Sequence, residues 1–244
     1  MSRTYRLSLP RARAEPLLKS PRLRETFQGV YFIEEDQPIL VTRNLVPGRM
    51  VYGERLIQIG GEEYRSWNPT RSKLAAAIMK GLGEMPIMGG SKVLYLGVAS
   101  GTTCSHISDI VGREGHIWGV DFSARSLRDL IDNVARYRRN ISPILGDARE
   151  PNRYSAQVPK VDVIYSDVAQ PDQAEIVLKN ASLFLSRGGC AMLAIKSRSV
   201  DVTKEPGVVY SEQVEVLKRG GFTIGELVEL DPYEKDHALV LARR

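Results

Sequence analysis

Residues 92–107 read KVLYLGVASGTTCSHI. The segment is a strand that runs into a glycine-rich turn and then a helix, an arrangement that sets backbone N–H groups and a helix N-terminus beside a ligand. Gly97 and Gly101 mark where the chain turns tightly or approaches that ligand closely. Their spacing is G-x-x-x-G. It matches neither the G-x-G-x-x-G fingerprint of dinucleotide sites nor the G-x-x-x-x-G-K-[ST] of phosphate loops.

Outward from this turn, strands alternate with amphipathic segments. HIWGVDF (116–122), ISPILGD (141–147), VDVIYSD (161–167) and GCAMLAIK (189–196) read as strands; ARSLRDLIDNVARY (124–137), AEIVLKNASLFL (174–185) and SEQVEVLKRG (211–220) read as helices. Such alternation builds a parallel sheet covered on both faces. The chain closes on FTIGELVEL and ALVLARR, joined only by DPYEKDH, too short for a helical crossover, so this last pair is antiparallel. Seven strands with one antiparallel strand at the end match the methyltransferase version of the doubly wound α/β fold. Upstream, Asn68-Pro69 starts a helix through SKLAAAIMKGL (72–82), with Asn68 as its cap. Before it, GVYFIEE, PILVTRNL and MVYGERLIQI read as β segments separated by turn signals at 35–38 and 47–48. The expected organisation is a small N-terminal antiparallel β domain with a basic lead (1–63) and a catalytic domain (64–244).

Two further strand tips carry ligand chemistry. Asp121 ends the second strand of the large sheet, where a carboxylate accepts hydrogen bonds from ribose hydroxyls, and Phe122 offers an apolar face to adenine. Gly146-Asp147-Ala148 ends the third, where the carboxylate can read an adenine amino group. A glycine turn alone is usually only a turn. Three successive tips of this kind point to an adenosine-containing ligand, and the missing fingerprint favours S-adenosylmethionine over NAD.

Strand four ends Ser166-Asp167-Val168-Ala169-Gln170 and strand five ends Ile195-Lys196-Ser197-Arg198, both at the carboxyl edge where doubly wound folds bind ligands. Lys73 lies near the start of the preceding helix, and His237 opens the last strand. If the four converge, they suit methylation of a weakly acidic hydroxyl. A desolvated lysine beside a second cation can accept the proton, Asp167 orients that lysine, and His237 hydrogen-bonds near the nucleophile. A sulfonium donor already holds a good leaving group, so alignment is the main demand. Plain structural readings stand beside these: a solvated helix face for Lys73, a turn histidine for His237, a turn or cap for Asp236. Lys196 and Asp167 close apolar strands and are harder to read so.

Composition limits the alternatives. At 43% hydrophobic the chain can bury a sizeable core. No apolar run nears the roughly 18 residues of a membrane span, and MSRTYRLSLPRARAEP lacks the apolar region of a secretory signal. Two cysteines, Cys104 and Cys190, and three scattered histidines fit a reducing, cytoplasmic setting without a zinc-type cluster. Residues 1–30 hold seven basic side chains (Arg3, Arg6, Arg11, Arg13, Lys19, Arg22, Arg24) against Glu15 and Glu25, which accounts for the whole net charge of +5. A basic lead suggests an anionic partner and reads as an auxiliary phosphate contact or a flexible arm. Arg125, Arg128, Arg136, Arg138, Arg139, Arg149 and Arg153 are either phosphate contacts or solvated faces.

Five blocks carry a resemblance: YRSWNPTRSKLAAAI (64–78), VLYLGVASGTTCSHISDIVG (93–112), VDVIYSDVAQPDQAEI (161–176), IKSRSVDVTKEP (195–206) and LDPYEKDHALV (230–240). Together they resemble the archaeal fibrillarins, 2′-O-methyltransferases of box C/D guide-RNA particles. The resemblance implies a Lys-Asp-Lys-His catalytic set at Lys73, Asp167, Lys196 and His237. It implies S-adenosyl-L-methionine contacts at Gly97, Ala99, Gly101, Thr102, Thr103, Asp121, Phe122, Asp147 and Ala148, and through Asp167, Val168, Ala169 and Gln170. It implies ribosomal and transfer RNA as substrates and a particle with a Nop-family scaffold protein, a kink-turn-binding ribosomal-type protein and a guide RNA. Asp121 stands where many relatives carry Glu, and the Gly/Arg-rich arm of eukaryotic members is absent. Two other classes remain, a non-catalytic particle subunit of the same fold and an NAD(P) oxidoreductase. The intact catalytic set weighs against the first, the missing fingerprint and antiparallel ending against the second.

Overall fold

In a computed structural model the chain is described over residues 22–244 and forms two sheets. The basic residues at positions 3–19 lie outside the described residues. The small sheet contains β1 (Arg22–Phe27), β2 (Val30–Glu34), β3 (Ile39–Arg43), β4 (Leu56–Ile59) and β5 (Glu62–Ser66), all antiparallel, in the order β1-β2-β3-β5-β4. Sequence reading finds three of these segments. It misses RLRETF and EEYRS because neither shows apolar alternation, and it overextends MVYGERLIQI, of which only the last four residues pair. The signal for β5 is Gly60-Gly61: both residues have positive φ, as a two-residue hairpin turn requires. β5 ends at Ser66, so the sheet continues past residue 63, where the sequence divides the chain.

The large sheet contains β6 (Lys92–Leu96), β7 (His116–Asp121), β8 (Ile141–Leu145), β9 (Val161–Ser166), β10 (Leu185–Lys196), β11 (Thr223–Glu229) and β12 (His237–Arg243), in the order β11-β12-β10-β9-β6-β7-β8. β6 to β10 are parallel, and β12 is antiparallel to both its neighbours, as the short final connection demands. Side chains alternate between two cores. Val93, Tyr95, Tyr165, Met192, Ala194, Leu239 and Leu241 pack under α1 (Lys73–Met79), α2 (Thr102–Val111) and α3 (Ala124–Asn133). Leu94, Leu96, Ile164, Leu193, Ile195, Ala238 and Val240 pack against α4 (Gln173–Phe184) and, beyond the single turn α5 (Ser197–Val200), α6 (Pro206–Arg219). The strand order reverses between β6 and β9, which opens a crevice at their carboxyl ends.

The helix expected from Asn68 divides in two. Asn68 Oδ1 accepts from the Thr70 amide and caps a 3-10 turn over Pro69–Arg71. Ser72, extended at φ −153°, then caps α1, so Lys73 becomes that helix's first residue.

A buried polar cluster joins the two sheets. Arg65 of β5 pairs with Glu54 at 2.6 Å and with Asp109 of α2 at 2.8 Å, and Asp109 also holds Arg138 at 2.5 Å. All four side chains are at most 2% exposed. Two cations against two anions balance the set, the condition under which buried charge is tolerable. His106 lies within it. Its Nδ1 is 2.7 Å from Thr42 Oγ1, its Nε2 is 2.8 Å from the Tyr52 hydroxyl, and its ring stacks on Trp67 at 4.7 Å. Burial, then the Arg65 and Arg138 charges, hold the His106 imidazole well below its usual value. Arg138 is therefore neither a phosphate contact nor a solvated side chain. Proximity in sequence to Arg136 and Arg139, which are exposed, gives no warning of this.

Candidate active site

Period-two alternation brings the candidate side chains together. On β10, Met192 and Ala194 face the α1 side, so Lys196 follows; on β12, Leu241 and Leu239 do, so His237 follows. Lys196 and His237 are direct cross-strand partners and share a face. Beyond the end of β9, Asp167 continues the row of Val163 and Tyr165. α1 covers this same face, and Lys73 projects from its first turn.

The result is one carboxylate between two lysines. Asp167 Oδ1 lies 3.2 Å from Lys73 Nζ and 2.9 Å from Lys196 Nζ, and Lys196 Nζ also donates to the Asp167 carbonyl at 2.7 Å. Neither contact to Oδ1 is aligned as a hydrogen bond, so that oxygen keeps acceptor capacity. The three side chains are 14–18% exposed, half sheltered but open to a substrate. His237 Nδ1 donates to the Lys235 carbonyl at 2.6 Å, which fixes the ring and leaves Nε2 free of that bond. Asp236 has φ +59°, and its carbonyl accepts from Ser197 N at 3.2 Å and Ser197 Oγ at 2.9 Å, tying the His237 loop to the end of β10.

Beside Asp167 lies a cavity of about 240 Å³ at the β6/β9 crevice. It is lined by Gly97, Ala99, Asp121, Phe122, Asp147, Ala148, Asp167, Val168, Ala169 and Gln170, all expected from the sequence, and by Lys196. Gly97 has φ +76°, and a Cβ there would come within 2.9 Å of the Asp167 carbonyl oxygen. Glycine thus permits the β6 turn to touch the Asp167 backbone. Ala99 also has positive φ, +50°, and its amide donates to Asp121 Oδ2 at 2.8 Å; Ser123 N donates to Asp121 Oδ1 at 2.8 Å. Phe122 stands at the rim, 71% exposed, with its ring available to a planar base. Asp147 is chelated by Arg149, whose hydrogen bonds pull its carboxyl below the usual carboxylate range. That pairing uses part of the capacity expected to read an adenine amino group, yet a carboxylate has about four lone-pair sites.

Gly101, Thr102 and Thr103 are not among the lining residues. Gly101 caps α2 in a left-handed conformation and lies under Leu130 and Val134 of the following segment. Thr103 is buried and donates to Ser72 Oγ at 2.9 Å, which supports the residue that caps α1 ahead of Lys73. Sequence reading also leaves out Gln173, although it lies inside the block VDVIYSDVAQPDQAEI; its amide side chain is fully buried against the backbone of Lys196.

The donor set discriminates among ligands. Three carboxylates (Asp121, Asp147, Asp167) and one lysine line the cavity. Such a surface opposes a pyrophosphate. It suits an adenosine derivative of net positive charge, which S-adenosylmethionine is, with the Asp121 carboxylate for hydroxyls and Phe122 for the base.

A family model described as fibrillarin matches residues 22–244. The fibrillarin-like rRNA/tRNA 2′-O-methyltransferase of Thermococcus onnurineus is 59% identical over 223 residues, 91% of this chain and 98% of the relative. Among solved structures, Aeropyrum pernix fibrillarin with natively bound S-adenosyl-L-methionine superposes with a TM-score of 0.84 at 53% identity, covering 91% of this chain and 97% of that one. The fibrillarin of a fibrillarin/Nop5p complex superposes with a TM-score of 0.82 at 42% identity, covering 91% and 100%.

Proposed function

The chain belongs to the fibrillarin family, and from that premise we propose how its residues carry out S-adenosylmethionine-dependent methylation of ribose 2′-hydroxyls in ribosomal and transfer RNA. The target is selected by a box C/D guide RNA. The observation that carries the reading is the single carboxylate of Asp167 held between Lys73 and Lys196 at the mouth of an acid-lined cavity.

When bound, S-adenosylmethionine supplies a methyl group on a positively charged sulfur, ready for transfer without prior activation. Gly97, Ala99, Asp121, Phe122, Asp147, Ala148 and the segment Asp167–Gln170 hold it, as their lining of one cavity supports. Asp167 fixes both lysine heads at one oxygen. Lys196 Nζ donates to the Asp167 carbonyl and lies beside its carboxylate, which holds it next to the incoming hydroxyl, whose proton it accepts. Lys73 donates to the same hydroxyl oxygen and holds it in line. His237, tethered through Nδ1, presents Nε2 to the ribose as a hydrogen-bonding group.

Partners follow from the same premise. A Nop-family scaffold holds the enzyme on the particle, a reading supported by the fibrillarin/Nop5p complex. A kink-turn-binding protein and the guide RNA complete it, in a cytoplasmic setting. Among the described residues no helix is long and apolar enough to cross a membrane.

The test is Lys196→Ala in a reconstituted particle with a labelled methyl donor. Guided transfer should fall at least about 100-fold, with donor affinity by calorimetry changed only a few-fold. A particle that still turns over at the wild-type rate would remove Lys196 from this role.

A further inference from the structure

We infer that Gln173 is a positioning residue that sets the catalytic lysine Lys196 through its backbone. The inference rests on the functional reading above.

β10 is held by β9 on one side only as far as the pair Leu193↔Ser166, after which β9 ends and its chain becomes the loop that starts at Asp167. Beyond that pair, the backbone of Lys196 has no strand beside it on the β9 side. Gln173, the first residue of α4 at the far end of the same loop, takes the strand's place. Its Oε1 accepts from Lys196 N at 2.9 Å and its Nε2 donates to the Lys196 carbonyl at 3.1 Å. Gln173 is 0% exposed. One primary amide thus satisfies both backbone groups of one residue, in the manner of a ladder partner.

This geometry has two consequences. Because both backbone groups of Lys196 point to Gln173, the Lys196–His237 pair is of the non-hydrogen-bonded kind, in which opposed side chains approach most closely. The His237 carbonyl accordingly turns the other way, to Leu230 N at 3.0 Å. Second, the clamp closes a ring: Asp167, its loop, Gln173, the Lys196 backbone, and Lys196 Nζ back to the Asp167 carbonyl and carboxylate. Gln173 touches neither cavity nor hydroxyl. It fixes the distance between the proton acceptor and the carboxylate that orients it.

The experiment uses the reconstituted guide-RNA particle and compares wild type with Gln173→Met, which keeps length but loses both bonds, and Gln173→Glu. For Gln173→Met, kcat should fall about 10- to 100-fold with KM for donor and RNA within about twofold of wild type. Gln173→Glu provides a readout that a merely structural role would not move. A protonated carboxyl has an O–H donor beside its carbonyl acceptor and reproduces both bonds, whereas the ionised group only accepts. The ratio of its kcat to that of wild type should therefore rise as pH is lowered from about 8 to about 5.5, while the ratio for Gln173→Met stays flat. In parallel, acylation of free protein followed by mass spectrometry should label Lys196 faster, relative to Lys73, in Gln173→Met. An unchanged kcat, a loss confined to KM, or a flat pH ratio for Gln173→Glu would each overturn the assignment. If Gln173→Met does not fold, the pH ratio of Gln173→Glu decides alone. Failure of wild type to methylate a guided target would instead defeat the functional reading, and the labelling ratio would still test the clamp.

Discussion

Replacing Gly97 by alanine should injure stability and catalysis together, and the structure gives the size of each effect. The new Cβ would meet the Asp167 carbonyl oxygen at 2.9 Å, its carbon at 3.0 Å and Val168 N at 3.1 Å, against the 3.4 Å at which ordinary contact begins. All three atoms are backbone, so no rotamer relieves the contact and the Asp167 segment must retreat by about 0.5 Å. An L-residue at φ +76° adds about 1–2 kcal/mol, and overpacking about 1–3 kcal/mol, so a loss of roughly 2–5 kcal/mol is expected. Since a displacement of about 1 Å at a reacting group can lower a rate on the order of 100-fold, half that distance at Asp167 should lower kcat about tenfold. Denaturant unfolding measures the first quantity, and guided methyl transfer at saturating donor measures the second. Gly101→Ala serves as the comparison. Its Cβ would meet Leu130 Cδ1 and Val134 Cγ2, side-chain atoms away from Asp167, so stability should fall with a smaller effect on kcat. A Gly97→Ala protein with wild-type stability and turnover would refute the claim that close approach of β6 sets the position of Asp167.

Other consequences can be measured directly. Asp109→Asn leaves Arg65 and Arg138 buried with half their countercharge and should cost about 3–5 kcal/mol in denaturant unfolding, a loss too large to confuse with a surface change. Because the folded His106 imidazole is held well below its usual value, the unfolded chain takes up a proton that the folded one refuses. Stability should therefore decline as pH falls below about 6.5, by up to about 1.4 kcal/mol per pH unit for that proton, with His116 contributing in the same direction. His106→Asn should flatten the slope between about pH 5 and pH 6.5, and an unchanged slope would exclude His106 as its source. Burial pushes the Cys104 thiol up to about 12 and raises that of Cys190, so an aromatic disulfide reagent should find little reactive thiol before denaturation; fast reaction of native Cys104 would contradict its burial.

Most of the frame was legible along the chain. KVLYLGV runs into a glycine turn, HIWGVDF, VDVIYSD and CAMLAIK are apolar runs closed by candidate site residues, and their order, with DPYEKDH too short for a crossover, implies the parallel sheet and its antiparallel end. Lys196 and Asp167 were visible for the same reason: a strand end that breaks an apolar pattern with a polar residue has to be spending that residue on something, whereas Lys73 and His237 read locally as a solvated helix face and a turn histidine and joined the set through the family resemblance. β1 and β5 were not visible, because RLRETF and EEYRS satisfy their backbones as strands without an apolar face to announce it.

What local sequence could not state is what each polar residue meets. Arg136, Arg138 and Arg139 look alike in sequence, yet only Arg138 is drawn inside, because Asp109 on a helix far away in the chain lies opposite it. Thr103 belongs to a motif associated with the cofactor but spends its hydroxyl on Ser72. Gln173 became meaningful only when the end of β9 left the Lys196 backbone without a partner. Periodicity and strand-end chemistry are properties of neighbours along the chain, so they determined the α/β frame and pointed to the cofactor class and to Asp167 and Lys196, while the full four-residue candidate set came with the family resemblance. Pairing of hydrogen-bond groups and charges is a property of neighbours in space, and the tertiary structure alone decided which polar side chains meet at the candidate site and which hold the two sheets together.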